Sequence, residues 1–337
     1  GATPGREQDD LNFTGSLSYD AGPLRATMGL VTNSGTTNQG GSIMSQLQWG
    51  GATVNTLNDT GAYANSFDIS PRYRTNEYSN NMLIAEMTYA LSKNTILRAN
   101  VNSFSLEYEA KDNLLGKDWK LWGDRDAVEP KLGTFGNANV SEPILNEDGD
   151  TTGYNTTEYG YTPFISRYVE KADYLINGMP VTRPGTMPGG YYKGAYSKTG
   201  FSASIQHVMG EHDIKAGFDY SQHTMRNYFA NPTVMKFAQD TEGTYGYTTY
   251  GSFENIPGWI WRPYIDGFGY DKDGNEIDER KEYTGTPAGQ TGTDITYLDG
   301  AKTPTELGFY IQDKMEFDDI IVNVGLRIDQ LDPSETA

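Results

Sequence analysis

Four stretches of this chain alternate apolar and polar residues with a period of two, and each doubles back through a tight turn. That is the signature of antiparallel β-hairpins with one apolar and one polar face. In the first, Leu11, Phe13, Gly15, Leu17 and Tyr19 oppose Asn12, Thr14, Ser16 and Ser18. The turn signal Asp20-Ala21-Gly22-Pro23 follows, and Leu24, Ala26, Met28 and Leu30 then alternate with Arg25, Thr27 and Gly29. The second runs through Leu83, Ala85, Met87 and Tyr89 to Leu91-Ser92-Lys93-Asn94 and resumes at Leu97, Ala99 and Val101. Its apolar phase then moves to Phe104, Leu106 and Tyr108, which predicts a β-bulge near Asn102-Ser103. In the third, Phe201, Ala203 and Ile205 lead into Met209-Gly210-Glu211-His212, and Ile214, Ala216, Phe218 and Tyr220 lead out. In the fourth, Leu307, Phe309, Ile311, Met315 and Phe317 share a face broken only by Asp313. Past Asp318-Asp319, the positions Ile320, Val322, Val324, Leu326 and Ile328 alternate with Asn323, Gly325, Arg327 and Asp329.

Eight strands in four hairpins are therefore expected, near 11–31, 81–108, 197–226 and 305–330. The connections between them, 32–80, 109–196 and 227–304, are 49, 88 and 78 residues long. A compact domain rarely contains even one loop above about 15 residues. Three of them in strict alternation with tight turns match an outer-membrane barrel, which has short turns on one side and long loops on the other. The longest apolar run is Met82-Leu83-Ile84-Ala85, far short of the roughly 20 residues a membrane helix needs; a barrel strand crosses with about 9–11 alternating residues. The expected fold class is all-β, a transmembrane antiparallel β-barrel with long extracellular loops. Turn clusters such as Asn146-Glu147-Asp148-Gly149 and Asp271-Lys272-Asp273-Gly274-Asn275 predict small hairpins within those loops.

The closing hairpin carries a resemblance. Thr305-Glu306-Leu307-Gly308-Phe309-Tyr310-Ile311-Gln312-Asp313-Lys314, followed by Asp318-Asp319-Ile320-Ile321-Val322-Asn323-Val324-Gly325-Leu326-Arg327-Ile328-Asp329, resembles a barrel hairpin of TonB-dependent outer-membrane receptors. Within them it is similar to the Oar-like branch. The stretch from Gly200 to Asp213 with Ile214-Lys215-Ala216-Gly217-Phe218-Asp219-Tyr220 is similar to another strand type of those barrels. The resemblance covers the last third of the chain. It implies a 22-stranded barrel occluded by a plug domain and energised by the TonB complex. No plug-like segment and no coupling box precede Leu11, and the chain ends on Asp332-Pro333-Ser334-Glu335-Thr336-Ala337 rather than on an aromatic closing strand. The expectation is a middle portion of a larger barrel, with the plug outside it.

Composition narrows the function classes. A net charge of −19 would repel a polyanion, so nucleic acid is not an expected partner. The chain has no Cys and three His, His207, His212 and His223, with no matched ligand spacing. It has no Gly-x-Ser-x-Gly, no P-loop and no strand-linked Gly-x-Gly-x-x-Gly, so neither an enzyme nor a cofactor is expected.

Two sets of loop residues are candidate sites. Asp271, Asp273, Asn275 and Glu282 have the oxygen spacing of a calcium loop, but Glu276 stands where such a loop needs Gly, and an Asx turn accounts for the pattern with twice the weight. All five Trp, Trp49, Trp119, Trp122, Trp259 and Trp261, lie in the loops. The pairs Trp119 with Trp122 and Trp259 with Trp261 would form either a stacking platform for a sugar or peptide or small cores that hold the loops, with packing weighted two to one.

Two functional readings follow from the barrel. In the first the chain belongs to a receptor that takes up a ligand, its inward Ser, Thr, Gly, Asn, Arg and Asp lining a polar lumen. In the second it is a structural or adhesive surface protein that displays loops and moves nothing. The expected surroundings are outer-membrane lipid and lipopolysaccharide, with a surface lipoprotein or other surface proteins as neighbours; the acidic third loop reads first as a solvated outer surface and second as a recruiter of divalent cations that bridge lipopolysaccharide. A soluble β-sandwich shares the alternation but would not place a long insertion on every second connection.

Overall fold

A computed structural model describes residues 9–38, 74–112, 114–124, 139–146, 149–158, 173–176, 179–182, 190–231, 253–285 and 293–334. It also describes Ala127, Pro130, Lys131, Pro232 and Met235. Eight long strands form one antiparallel sheet in the order of the chain, interrupted only where the connections insert their own strands. They are β1 (Asp9–Ala21), β2 (Leu24–Asn38), β3 (Arg74–Ser92) and β4 (Thr95–Asp112), then β9 (Tyr191–Met209), β10 (His212–Ala230), β14 (Thr305–Phe317) and β15 (Ile320–Asp332). Between β4 and β9 lie two small hairpins, β5 (Asn139–Leu145) with β6 (Thr151–Glu158) and β7 (Asp173–Ile176) with β8 (Met179–Thr182). Between β10 and β14 come β11 (Ile265–Phe268), which pairs with β10, and the hairpin of β12 (Lys281–Gly285) with β13 (Asp294–Leu298). A one-turn helix, α1 (Gly258–Trp261), is the only α-helical element bounded among the described residues, and none of their helices is long and apolar enough to cross a membrane.

Each of the four main hairpins closes through two residues: Gly22-Pro23, Lys93-Asn94, Gly210-Glu211 and Asp318-Asp319. Gly22 and Gly210 both adopt φ of 62°, the left-handed region that a two-residue turn with glycine first demands. In an antiparallel meander the four turns share one end and the three long connections the other. Most strands run further toward the connections than their alternation predicts. β2 reaches Asn38, and β9 begins at Tyr191.

Apart from one irregularity beside the Lys93-Asn94 turn, the register is continuous across the sheet and assigns the residues their faces. Met28 faces Ala85, then Val101, Phe201, Tyr220 and Leu307 in successive strands. The row toward the turns is Ala26, Met87, Ala99, Ala203, Phe218 and Phe309. These outward residues form an apolar band with nothing among the described residues packed on it: Phe309 is 54% exposed, and Leu326 and Ile328 are each 63% exposed. Continuous apolar exposure on this scale belongs to a surface that water does not wet. On the connection side the same face turns polar, through Thr32, Asn81, Ser105 and Ser197. The fold is all-β, an open portion of a transmembrane-type antiparallel barrel wall, with β1 and β15 as its edges among the described residues.

One expectation fails. No bulge occurs at Asn102-Ser103, where Ile84 still pairs with Asn102 and Leu83 with Ser103; the irregularity lies between Ala90 and Ser92. Phe104, Leu106 and Tyr108 therefore point inward, opposite to Val101. The inter-strand ladder, not the preference of three apolar side chains, sets the face.

Candidate functional site

The inward face is the surface these strands present to whatever fills or crosses the barrel. Two consecutive rows there bring seven charged side chains together. One runs Ser18, Thr27, Glu86, Asn100, Ser202 and Asp219; the next runs Asp20, Arg25, Thr88, Arg98, Ser204 and Gly217. They continue onto Gly308 and Asp329, and onto Tyr310 and Arg327.

Arg327 organises the last three strands. Its guanidinium donates to both oxygens of Asp219, at 2.8 and 3.0 Å, and to Asp329 on its own strand, at 2.6 and 3.0 Å. The bidentate geometry fixes the plane of the fork. It lies flat over Gly308, where a Cβ would come within 2.3 Å of Arg327 Nη2. In the same way Tyr310 lies over Gly217, whose absent Cβ would meet Tyr310 Oη at 2.7 Å.

Beside this lattice the wall holds a cavity of about 260 Å³ lined by Glu86, Arg98, Asn100, Ser202, Lys215 and Tyr310. Arg98 donates to Gln206 Oε1 at 2.8 Å, and the Lys215 ammonium stands 5.6 Å from the Tyr310 ring centre. Two cations, a carboxylate, hydroxyls and a phenol in one recess suit a polar ligand with anionic groups and hydroxyls, or a polar protein surface. They contain no nucleophile and base pair.

Nearer the connections the inward face turns apolar. Val31 and Met82 pair across strands with Phe104, and Leu106 faces Tyr196, which faces Met225. The Phe104 and Tyr196 ring centres lie 5.8 Å apart, and Tyr196 Oη meets His223 Nδ1 at 2.8 Å. Sequence reasoning missed this patch by sending its aromatics outward. The signal that would have found it is the unbroken count of residues from the Lys93-Asn94 turn. Of the other histidines, His207 and His212 lie on the outward face. His212 Nδ1 is 2.7 Å from Oδ2 of Asp313, the residue that breaks the apolar pattern of β14.

Three of the tryptophans occupy the opposite side of the sheet. Trp119, Trp122 and Trp261 are buried in the core that joins the second and third connections. Trp119 and Trp122 both pack on Tyr191, Tyr191 on Tyr228, and Tyr228 on Tyr270, with centroid separations of 5.8 to 6.4 Å. Trp261 meets Tyr283 edge-on at 5.1 Å, and Trp122 Nε1 donates to the Gly116 carbonyl at 3.1 Å. Burial pushes the Tyr191 and Tyr228 phenols up, and it pushes Tyr270 up to about 12 with help from Glu276. Trp259 is 41% exposed and stands apart from this core; Trp49 lies outside the described residues.

The calcium candidates are likewise placed. Asp271 is buried, and its Oδ1 accepts the backbone N–H groups of Asp273 and Asn275, both at 2.9 Å. Its Oδ2 accepts Lys281 Nζ at 2.8 Å. Burial alone would raise the Asp271 carboxyl, but the Lys281 ammonium and the Asn275 donors outweigh it and hold it below the usual value. Asp273 is engaged by Lys120 at 2.5 Å, and Glu282 is exposed on β12. The cluster is an Asx turn closed by a lysine, with Gly274 at φ of 82°. Among the described residues no three His, Asp or Glu side chains converge on one point as metal ligands would.

No family model and no curated protein matches the chain. Among solved structures it is similar to BauA, the ferric preacinetobactin receptor from Acinetobacter baumannii. The identity is 11% and the TM-score 0.39, covering 98% of this chain and 35% of that one. It is also similar to the outer membrane transporter YddB from Escherichia coli, at 10% identity and a TM-score of 0.39, covering 96% of this chain and 27% of that one. The chain thus spans about a third of the length of these proteins. Likeness at this level adds nothing to what the strand register establishes.

Proposed function

We propose that this chain is part of the wall and loop assembly of a bacterial outer-membrane receptor. In this reading the receptor takes up a ligand through a plugged barrel, with energy coupling by TonB. One observation carries the reading: across eight paired strands, one face is apolar and bare through the middle of the wall while the other holds a fixed lattice of ion pairs and a polar recess. A surface-display barrel needs only the first. An arginine held bidentate in the wall and a recess with two cations cost side-chain entropy that a display scaffold has no reason to bear. The inward apolar patch beside Phe104 and Tyr196 gives the same face a place to pack another protein segment.

The test uses the absence of native cysteine in this chain. Ser202→Cys and Phe201→Cys, neighbours on opposite faces, are placed singly in the full-length polypeptide in cells. A water-soluble maleimide is expected to label the first, and only a lipid-soluble reagent the second. Ser202→Cys labelling that rises in energised cells and falls when TonB is deleted supports coupled uptake. Labelling that ignores both moves the function to loop display.

A further inference from the structure

The outward face carries a second recess that the uptake reading does not use. Above the apolar band, the loop segments holding Lys117, Tyr270 and Glu276 fold back over the sheet and bound about 510 Å³ against Glu77, Glu107 and Lys193. That volume lies within the roughly 300–1,000 Å³ of small-molecule sites. A strand ladder separates it from the lumen, because Ser79 pairs with Glu107 and Glu109 with Lys193 on the face that Leu83, Val101 and Phe201 occupy further down. A ligand here is not one in transit through the barrel.

Most of its charges are already matched. Lys117 bridges Glu77 at 3.0 Å and Glu109 at 2.7 Å, Lys111 also pairs with Glu77, Tyr191 donates to Glu109, and Glu276 lies 3.6 Å from Arg226. Two charges are left over. Among the described residues Glu107 makes no ion pair or hydrogen bond, and the Lys193 ammonium has only the Tyr270 ring, 4.7 Å from its centre.

Their placement explains why they do not neutralise each other. Glu107 pairs with Ala195 across the strands, so Lys193 is its diagonal neighbour, with backbones about 7–8 Å apart. The carboxylate directly opposite Lys193 is Glu109, which Lys117 and Tyr191 already hold. Lys193 runs instead under the Asp271-Lys272-Asp273-Gly274-Asn275 turn, where a Cβ on Gly274 would stand 3.5 Å from its Nζ. The recess thus presents a carboxylate and an ammonium on adjacent strands that do not meet. A lone anion or cation would satisfy one and leave the other; a molecule carrying both charges satisfies both through charge-assisted hydrogen bonds. From Glu107 the same row continues through Ser79 to Ser34, and both line the recess. Their hydroxyls donate to and accept from a polar, uncharged side chain.

We infer that this recess binds a free α-amino acid with a polar, uncharged side chain. Its ammonium donates to Glu107, its carboxylate accepts from Lys193, and its side chain lies along Ser79 and Ser34. Because Lys117, Tyr270 and Glu276 come from the second and third connections, the bound molecule ties both loops to the wall. The inference goes beyond the uptake reading and does not depend on it.

The full-length polypeptide, purified in detergent, is titrated with L-glutamine, and binding is followed by ligand-observed NMR. Saturable binding is expected, and its absence overturns the site. N-acetyl-L-glutamine, which lacks the ammonium, and L-glutaminamide, which lacks the carboxylate, are each expected to bind at least about tenfold more weakly. Equal binding of either overturns the two-charge contact. Glu107→Gln is expected to weaken L-glutamine about tenfold and to leave N-acetyl-L-glutamine where it is; Lys193→Met does the same with L-glutaminamide as the insensitive form. Variants that weaken free and blocked forms alike act through the fold and overturn the contacts. 4-Aminobutanoate, whose charges sit at opposite ends of its chain, is expected to bind no better than the blocked forms, and binding equal to that of L-glutamine overturns the α-amino acid. Loss of binding on Lys215→Met places the molecule in the inward recess and overturns the outer site. Heat-modifiable migration on gels confirms that each variant is folded.

Discussion

The outward face of this sheet is covered in two different ways along the same strands. Toward the turns, Leu83, Val101 and Phe201 are left bare for hydrocarbon. Toward the connections, Tyr191 and Tyr228 on the same face are roofed by Trp119, Trp122 and Tyr270 from segments distant in sequence. In the first region the solvent is the packing partner, so composition matters and shape hardly does. In the second the partner is protein, so shape decides and each ring has one place. The buried apolar cluster of this molecule therefore sits in its loops, the reverse of a water-soluble sheet protein.

Changes of residue type can break this comparison. Trp122→Ala is expected to have the largest effect, about 3–5 kcal/mol of loop-core stability, because it empties a fully buried site. Limited proteolysis should then cut the 114–124 and 253–285 segments while the strands stay resistant. If the strands are lost as well, the two regions are one cooperative unit. Val324→Arg tests the bare region. It is expected to cost about 2–4 kcal/mol if the position lies near the midplane, and Asn323→Arg, one residue away on the other face, far less. Urea unfolding in liposomes gives both values, and equal costs would end the assignment of faces.

A smaller effect sharpens the description of the loop region. Asp271→Asn is expected to loosen the turn segment 269–283 by about 1–3 kcal/mol, since Lys281 and two backbone N–H groups lose their charged acceptor. Because the folded carboxyl is held below its ordinary 3.8, its contribution is full above that value and is lost as pH falls through the lower, folded one. Tryptophan fluorescence between pH 7 and pH 2 should show this acid step in the native chain and not in the Asn variant. The smallest change belongs to the inward face. Gly308→Ala should displace the Arg327 guanidinium from Asp219 and leave the unfolding midpoint where it is, because a flexible side chain absorbs the clash. The Arg327 Nε–H resonance reports the displacement.

Sidedness gives a further check. Epitope tags at Gly149 and Gly274, both in connections, are expected to be reachable on intact cells, and protection of either breaks the arrangement of turns against loops.

How much of this was legible depended on how local its cause is. Face alternation and two-residue turns are set by neighbours in the chain, and from Ile320 to Ile328 they read directly as outward strand. The Asx turn at Asp271 was legible for the same reason. At Phe104, Leu106 and Tyr108 the same rule misled, because apolar side chains were assigned to lipid when the ladder carries them inward. The packing of Trp119 and Trp122 on Tyr191 was open in the sequence, since the same rings at the same spacing serve a ligand platform or a core. The bridge from Lys120 to Asp273, and Arg327 lying across Gly308, left no trace in it.

The sequence by itself determined the class of this protein: strands in hairpins, one face apolar, long connections on one side. A period of two and a turn of two residues are properties of the covalent backbone. The tertiary structure decided where the apolar residues that the alternation misplaced or left open go, such as Phe104 to the lumen and Trp119 to the loop core. It also decided that the outward wall is roofed into a pocket while Arg98 and Lys215 share a recess on the inward one. Those outcomes depend on inter-strand register and on contacts across more than a hundred residues of chain, where every hydrogen bond in the ladder constrains the next and no local signal carries the sum.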